Sequence, residues 1–489
     1  MGRERQREYT AYTQGILLDG SRDMVPQTGQ VVIVRGGRIE AVQPEGELLP
    51  PGCEVVNLQG MYLMPGLINM HVHLNSGGKP SRKKKKPEDY VRLVRLATST
   101  PVTRQLLRMR IRGLAAEQLQ SGVTTIRTVG GIANFDSQVR DEAPRDPYRQ
   151  SGAGSIVSDL VHSTGFMVPQ VLTYSTGFKV PQVLSHSSGS MVPRILTSNT
   201  GISVPGGHVA GSLAYAARSA QEAAAYVDKI AQDEPDLIKL MITGGIMDAE
   251  KEGEPGVLKM PPEMIEAACS RAHELGFPVA SHTESTEGVL AALRGGVDTI
   301  EHGAMPTQEM MDLFHSRGAA LITTLSPVVP LARLSEEVTH VRPMDRANAE
   351  IVLQGIIGCA VRALEEDIPV GLGTDAGCPY VTQYDTWREL EYFHRLCGVT
   401  NTFALYTATL RNAQIAGIDG ETGSIEAGKS ADLLVTAGNP LEHLRALRKP
   451  AMVVLRGQRI VSPQAKHFGE IDRALDELCS SLAQMPAKA

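Results

Sequence analysis

The run Met64-Pro-Gly-Leu-Ile-Asn-Met-His71-Val-His73 does most to constrain this chain. It reads as an apolar strand that ends in two histidines spaced by one residue. Side chains along a strand alternate faces, so His71 and His73 point the same way. Two imidazoles on one face of a strand's end can share a metal ion. The spacing gains its force from the rest of the chain, which supplies further ligand types, each at the end of its own apolar strand.

The middle of the chain alternates apolar runs with amphipathic ones. Eight strand candidates lie at 62–74, 123–130, 194–198, 237–243, 278–284, 299–303, 320–327 and 370–376, with helical spacing between them at 219–232, 262–275 and 287–295. Eight strands with crossover helices predict an α/β fold, the (β/α)8 TIM barrel. That fold carries its chemistry at the C-terminal ends of its strands. Short β-branched runs at both chain ends, including Gly29-Gln-Val-Val-Ile-Val and Met452-Val-Val-Leu, predict a small β-sandwich domain formed from both ends. The expected division is 1–63 and 428–465 for the sandwich, 64–427 for the barrel and 466–489 for a C-terminal helix and tail, where Ile471, Leu475 and Leu478 have helical spacing.

Two segments interrupt the pattern. Arg82-Lys83-Lys84-Lys85-Lys86 reads as a solvated loop. Between 163 and 205 a twelve-residue unit recurs, marked by Gly165, Gly177, Gly189 and Gly201 and by Pro169, Pro181, Pro193 and Pro205. It reads as a duplication of the segment around the third barrel strand, the alternative being a lid or an assembly surface. That strand is placed at 194–198 because Gly206-Gly-His208 follows soon after.

Composition narrows the function classes. At 489 residues the chain suits a large barrel with an accessory domain. A net charge of -6 gives no basic field for nucleic acid, and a single Trp with 4% aromatics gives no stacking platform for bases or sugars. The charged start Met1-Gly-Arg-Glu-Arg has no apolar leader, and no apolar run reaches the length of a membrane span, so no membrane partner is expected. Six scattered cysteines without a Cys-x-x-Cys read as reduced thiols of a cytoplasmic protein.

Four further residues invite chemistry. Lys239 lies in Asp236-Leu-Ile-Lys239-Leu-Met-Ile-Thr-Gly-Gly, where a buried lysine is costly unless paired or modified. It either pairs with an acid or snorkels, or it reacts with CO2 to give a carboxylate able to bridge two cations. His282 ends the fifth strand and His302 the sixth. Each is a core histidine or a ligand of a zinc-like metal. Asp375, after the eighth strand, is either a helix cap or a metal ligand that can also take a proton from water.

In combination these runs resemble the amidohydrolase superfamily. The resemblance rests on Pro65-Gly-Leu-Ile-Asn-Met-His71-Val-His73, Lys239, His282, Glu301-His302-Gly, Gly373-Thr-Asp375 and the closing run Gly423-Ser-Ile-Glu-Ala-Gly-Lys-Ser-Ala-Asp-Leu-Leu-Val. Thr124-Thr-Ile-Arg-Thr-Val-Gly-Gly, Gly206-Gly-His208 and Thr243-Gly-Gly resemble the prolidase-like metal-dependent dipeptidases and the ochratoxin-hydrolysing amidases, with imidazolonepropionases more distant.

The resemblance implies a binuclear zinc enzyme, other divalent metals also being suited to the site. His71, His73 and Asp375 would bind the first ion, His282 and His302 the second, and carboxylated Lys239 would bridge both. A hydroxide between the metals would attack the amide of a dipeptide or N-acyl amino acid. Asp375, the catalytic acid-base, would take the proton and deliver it to the leaving amine. Substrate contacts are expected from His208, Arg127, Thr243 and Gly244, the last two through backbone donors, and a homo-oligomer is expected. The chain departs from its relatives in carrying Thr128 where they often have Asp, and in the repeats between the second and third strands. An unmodified Lys239 would imply a mononuclear deaminase or cyclic-amide hydrolase instead. A non-catalytic scaffold fits less well, since all six ligand candidates are present.

Overall fold

The computed structural model describes residues 9–80, 86–142 and 191–483. The N-terminal eight residues, Arg82–Lys85 of the basic run, repeat residues 163–190 and the last six residues lie outside the described residues.

Parallel strands alternate with helices in a TIM-barrel-type fold, arranged as two arcs. Leu67–Val72, Val123–Thr128 and Arg194–Thr197 form one three-stranded parallel sheet. The other has seven parallel strands. It begins with Gly201–Ser203 and Ala214–Ala216 and continues through Ile238–Met241, Val279–Thr283, Thr299–His302, Ala320–Thr323 and Val370–Leu372. Most barrel strands are buried along their whole length, as expected of parallel strands covered on both faces. The crossover helices start where the sequence offers caps: Ser219, Ser285 and Thr307 accept hydrogen bonds from the N–H groups of Glu222, Gly288 and Met310.

Three details differ from expectation. The first predicted strand, 62–74, divides at Gly66: Tyr62–Pro65 pairs with Leu433–Thr436, while Leu67–Val72 opens the barrel. A Cβ at Gly66 would lie 2.2 Å from Thr124 Oγ1, so the chain passes too close for any side chain there. The third strand is broken at Asn199 (φ +53°), with Arg194–Thr197 paired to the second strand and Gly201–Ser203 to the fourth. The helix Pro343–Glu365 is long and apolar enough to cross a membrane by length and composition, although half of its most apolar window is buried in the fold.

The two arcs meet at both seams. The Asp236 N–H donates to Thr197 O at 2.7 Å on one side. On the other, Val72 bridges Ala376 and the Asn412 side chain spans the first and eighth strands. Asn412 Nδ2 donates to Ile68 O (2.7 Å) and Leu372 O (2.9 Å), and its Oδ1 accepts from the Leu372 N–H (2.9 Å).

Both chain ends contribute to two further sheets. One contains four strands between Tyr9–Thr13 and Glu54–Asn57, and the other joins Ile16–Leu17 and Tyr62–Pro65 to three strands from 433–461. Tyr12, Val32 and Val34 of the first sheet share one apolar cluster with Leu63, Leu433 and Val454 of the second. The C-terminal helix Gly469–Ala483 buries Ile471, Leu475 and Leu478 against the main core. All six cysteines are free.

Candidate metal centre

The strand ends of both arcs converge. His71 and His73 leave the first strand, Lys239 lies on the fourth, His282 on the fifth, His302 ends the sixth and Asp375 follows the eighth. The eighth strand can approach His71 only because residue 373 is glycine: a Cβ there would stand 2.4 Å from His71 Cβ. His302 (φ +71°) and Asp375 (φ +58°) occupy left-handed backbone as the chain leaves its strand. Such conformations cost on the order of 1–3 kcal/mol each and concentrate at functional sites.

Each histidine of the first strand has one nitrogen tied down and the other turned to Asp375. His71 Nδ1 lies 2.8 Å from Glu301 Oε2, and its Nε2 lies 3.6 Å from Asp375 Oδ1. His73 Nδ1 donates to Gly130 O at 2.8 Å, leaving Nε2 3.2 Å from the same carboxylate oxygen. On the opposite side His282 Nδ1 and His302 Nε2 are 2.8 Å apart, and His302 Nδ1 meets Thr324 Oγ1 at 2.6 Å. Ligand atoms of His71, His73 and Asp375 lie within 4.8 Å of one another, as do those of His282, Glu284 and His302. Imidazoles oriented by a partner on the far nitrogen are characteristic of metal ligands.

Electrostatics favour the ligand forms. Burial, reinforced by the charge of Lys239, lowers His71 to about 4. Burial likewise holds His282 and His302 well below the usual histidine value. Burial opposes the charge on His73 too, but the Asp375 carboxylate outweighs it and raises the group. Burial also works against ionised Asp375, yet His71 and His73 hold it far below the ordinary carboxylate range. Lys239 is 1% exposed, and its Nζ has no hydrogen-bond partner among the described residues. Burial lowers it to about 8; Arg127 adds to that, against Glu301 and Asp375. Three imidazoles held neutral by burial, a buried carboxylate and an amine whose hold on its proton is weakened by burial suit a metal centre.

The expected substrate residues divide. His208 does reach the site: its ring stacks on His282 with centroids 4.2 Å apart, and its Nδ1 lies 2.5 Å from Asp248 Oδ2. Arg127 does not present itself to a ligand. It is buried, donating to Met70 O, Thr299 Oγ1 and Glu301 Oε1, so it supports Glu301 from beneath. The backbone donors of Thr243 and Gly244 are also taken, by His282 O and Val257 O.

Two acids gain roles that their sequence positions did not disclose. Glu301 joins Arg127 to His71; burial opposes its charge, but Arg127 and His71 hold it strongly ionised. Glu284 stands two residues beyond His282 with Oε2 buried and unpartnered, and burial together with Asp375 and Asp248 raises it to about 8. Its signal was the alternation itself, which puts His282 and Glu284 on one face of the strand. Thr128 is backed by the carboxyl group of Asp136, which burial raises to about 6.

The model of the amidohydrolase family matches residues 62–460. The chain belongs to the amidohydrolase family. This amidohydrolase is similar to a candidate prolidase from Bifidobacterium longum, at 32% identity and a TM-score of 0.76, covering 96% of this chain and 99% of that one. A Xaa-Pro dipeptidase with methionine bound in its active site is 25% identical with a TM-score of 0.72, over 93% of this chain and all of the other. Among curated relatives, the ochratoxinase of Aspergillus niger is 26% identical over 221 residues, 44% of each chain. That match spans less than half of the curated relative's length.

Proposed function

We propose that this amidohydrolase is a metal-dependent hydrolase of carbon–nitrogen bonds. In this reading it carries two divalent ions, zinc foremost, and cleaves the amide of a dipeptide or an N-acyl amino acid. The observation that carries the reading is the buried, unpartnered Lys239 amine in a pocket shared with four imidazoles and a carboxylate. His71, His73 and Asp375 would hold one ion, and His282 and His302 the other. A neutral lysine amine can add CO2, forming an N–C bond and releasing one proton. The resulting carboxylate would serve both ions. Divalent ions held there would lower the pKa of water and polarise an amide carbonyl.

The residues of the chain supply the rest. Asp375 faces both first-strand imidazoles and is placed to hold a proton and pass it to the departing amine. His208, steadied by Asp248, offers its ring edge to the carboxylate of the leaving amino acid. The prolidase-like and dipeptidase neighbours support an amino-acid-containing substrate. We also read the two arcs as one (β/α)8 barrel, with a β-sandwich made from both chain ends, in a cytoplasmic homo-oligomer.

A screen of dipeptides and N-acyl amino acids, run before and after chelation, tests this reading. Cleavage should disappear with the metal and return with Zn2+. Full activity in a metal-free preparation would refute it.

A further inference from the structure

Glu284 is a buried carboxyl group that the proposed chemistry leaves unused. One strand residue separates it from His282, so it lies on the same face and nearer the barrel mouth. The N–H of Ile246 hydrogen-bonds its carboxyl group, and a Cβ on Gly256 would come within 3.0 Å of Glu284 Cβ, so a fixed loop backs it. Its other oxygen, Oε2, is shut away from solvent and has no partner among the described residues. Asp248 is engaged by His208 Nδ1 and the Gly245 N–H, and Asp375 Oδ1 lies 3.2 Å from His73 Nε2. A buried carboxyl oxygen without a partner is costly, and a site keeps one where a ligand supplies the missing partner.

Reach decides which donor. Carboxyl and imidazole atoms of Glu284, His282 and His302 lie within 4.8 Å of one another, so Glu284 works close to the reacting carbonyl. In a dipeptide the α-nitrogen stands two bonds from that carbonyl carbon, about 2.5 Å away. A lysine or arginine side chain would carry its charge several bonds further off.

We infer that Glu284 recognises the free α-ammonium group of the substrate, so that the site selects aminoacyl dipeptides over N-acyl amino acids. The inference rests on the amide-hydrolase reading and narrows its substrate class. An N-acyl substrate would bury Glu284 without a cation.

The test compares binding of L-methionine with binding of its deaminated analogue, in which hydrogen replaces the ammonium. Calorimetry on the metal-loaded protein is the readout, with metal per chain measured alongside. The wild type should prefer methionine by roughly 10- to 100-fold. Glu284→Gln should bring the ratio close to one, leave metal content unchanged and raise KM for a dipeptide but not for its N-acetyl form. No preference in the wild type, a preference that survives Glu284→Gln, or loss of metal in that variant would each overturn the inference. The wild-type ratio stands as a test even if the variant does not fold. A protein that prefers methionine yet cleaves no amide would sink the hydrolase reading instead.

Discussion

At the scale of single residues, the site depends on groups that are buried before anything binds them. Lys239, His71 and Glu301 are each at most 1% exposed, and a chain of contacts from Arg127 through Glu301 holds His71 in place. Arg127→Met would leave Glu301 as a buried charge without its cation and loosen the His71 ring. Metal affinity should fall about 10- to 100-fold, measured by competition with a chelator, and excess zinc should restore kcat with little change in KM. A rise in KM that zinc does not repair would return Arg127 to the substrate side. Asp375→Asn keeps the shape and removes the proton acceptor, so kcat should drop by about 10²- to 10⁴-fold. A variant that retained most of its turnover would show that the proton goes elsewhere.

The convergence of His71, His73, Lys239, His282, His302 and Asp375 was legible because barrel topology alone brings strand ends together. The roles of Arg127, Thr243 and Gly244 were not, because they depend on hydrogen-bond partners far away in the chain. Periodicity tells which face a residue is on, not which donor is already spent.

At the scale of elements, the seams between arcs matter most. Asn412 answers three backbone groups on the first and eighth strands, whose own backbones bond only near their ends. Asn412→Ala strips all three, and stability should fall by about 3 kcal/mol, read from urea unfolding. Gly373→Ala places a methyl 2.4 Å from His71 Cβ, so the eighth strand must move away. Metal binding should be lost and stability should fall as well, because the methyl also meets the His71 backbone nitrogen at 2.6 Å. Sequence reasoning located the eight strands but ran two of them together with their surroundings. The first was extended across Gly66 because the apolar run does not pause where the chain changes sheets. The break at Asn199 was hidden by the repeat, whose copies look alike whichever one is paired.

At the scale of the whole molecule, the buried imidazoles link stability to pH. His71, His282 and His302 have folded-state values below the unfolded 6.5, with His71 at about 4. Above 6.5 both states keep these rings neutral. As pH falls through 6.5 toward 4 the unfolded chain binds protons that the folded one refuses, and stability is lost. The lowered Asp375 acts in the same direction at lower pH, and the raised His73, Glu284 and Asp136 oppose them. The imidazole contribution is read as a difference: between pH 7 and 5 the melting temperature of chelator-treated wild type should fall further, relative to its value at pH 7, than that of a His282→Gln variant. An equal change in the two proteins would mean that His282 is not neutral in the fold.

The most direct measurement of the central claim is metal content per chain by plasma emission on the wild type and on Lys239→Ala. Two metals in the wild type, falling to one or none in the variant together with amide cleavage, is the expected result. A single metal that Lys239→Ala leaves unchanged would contradict a lysine-bridged pair.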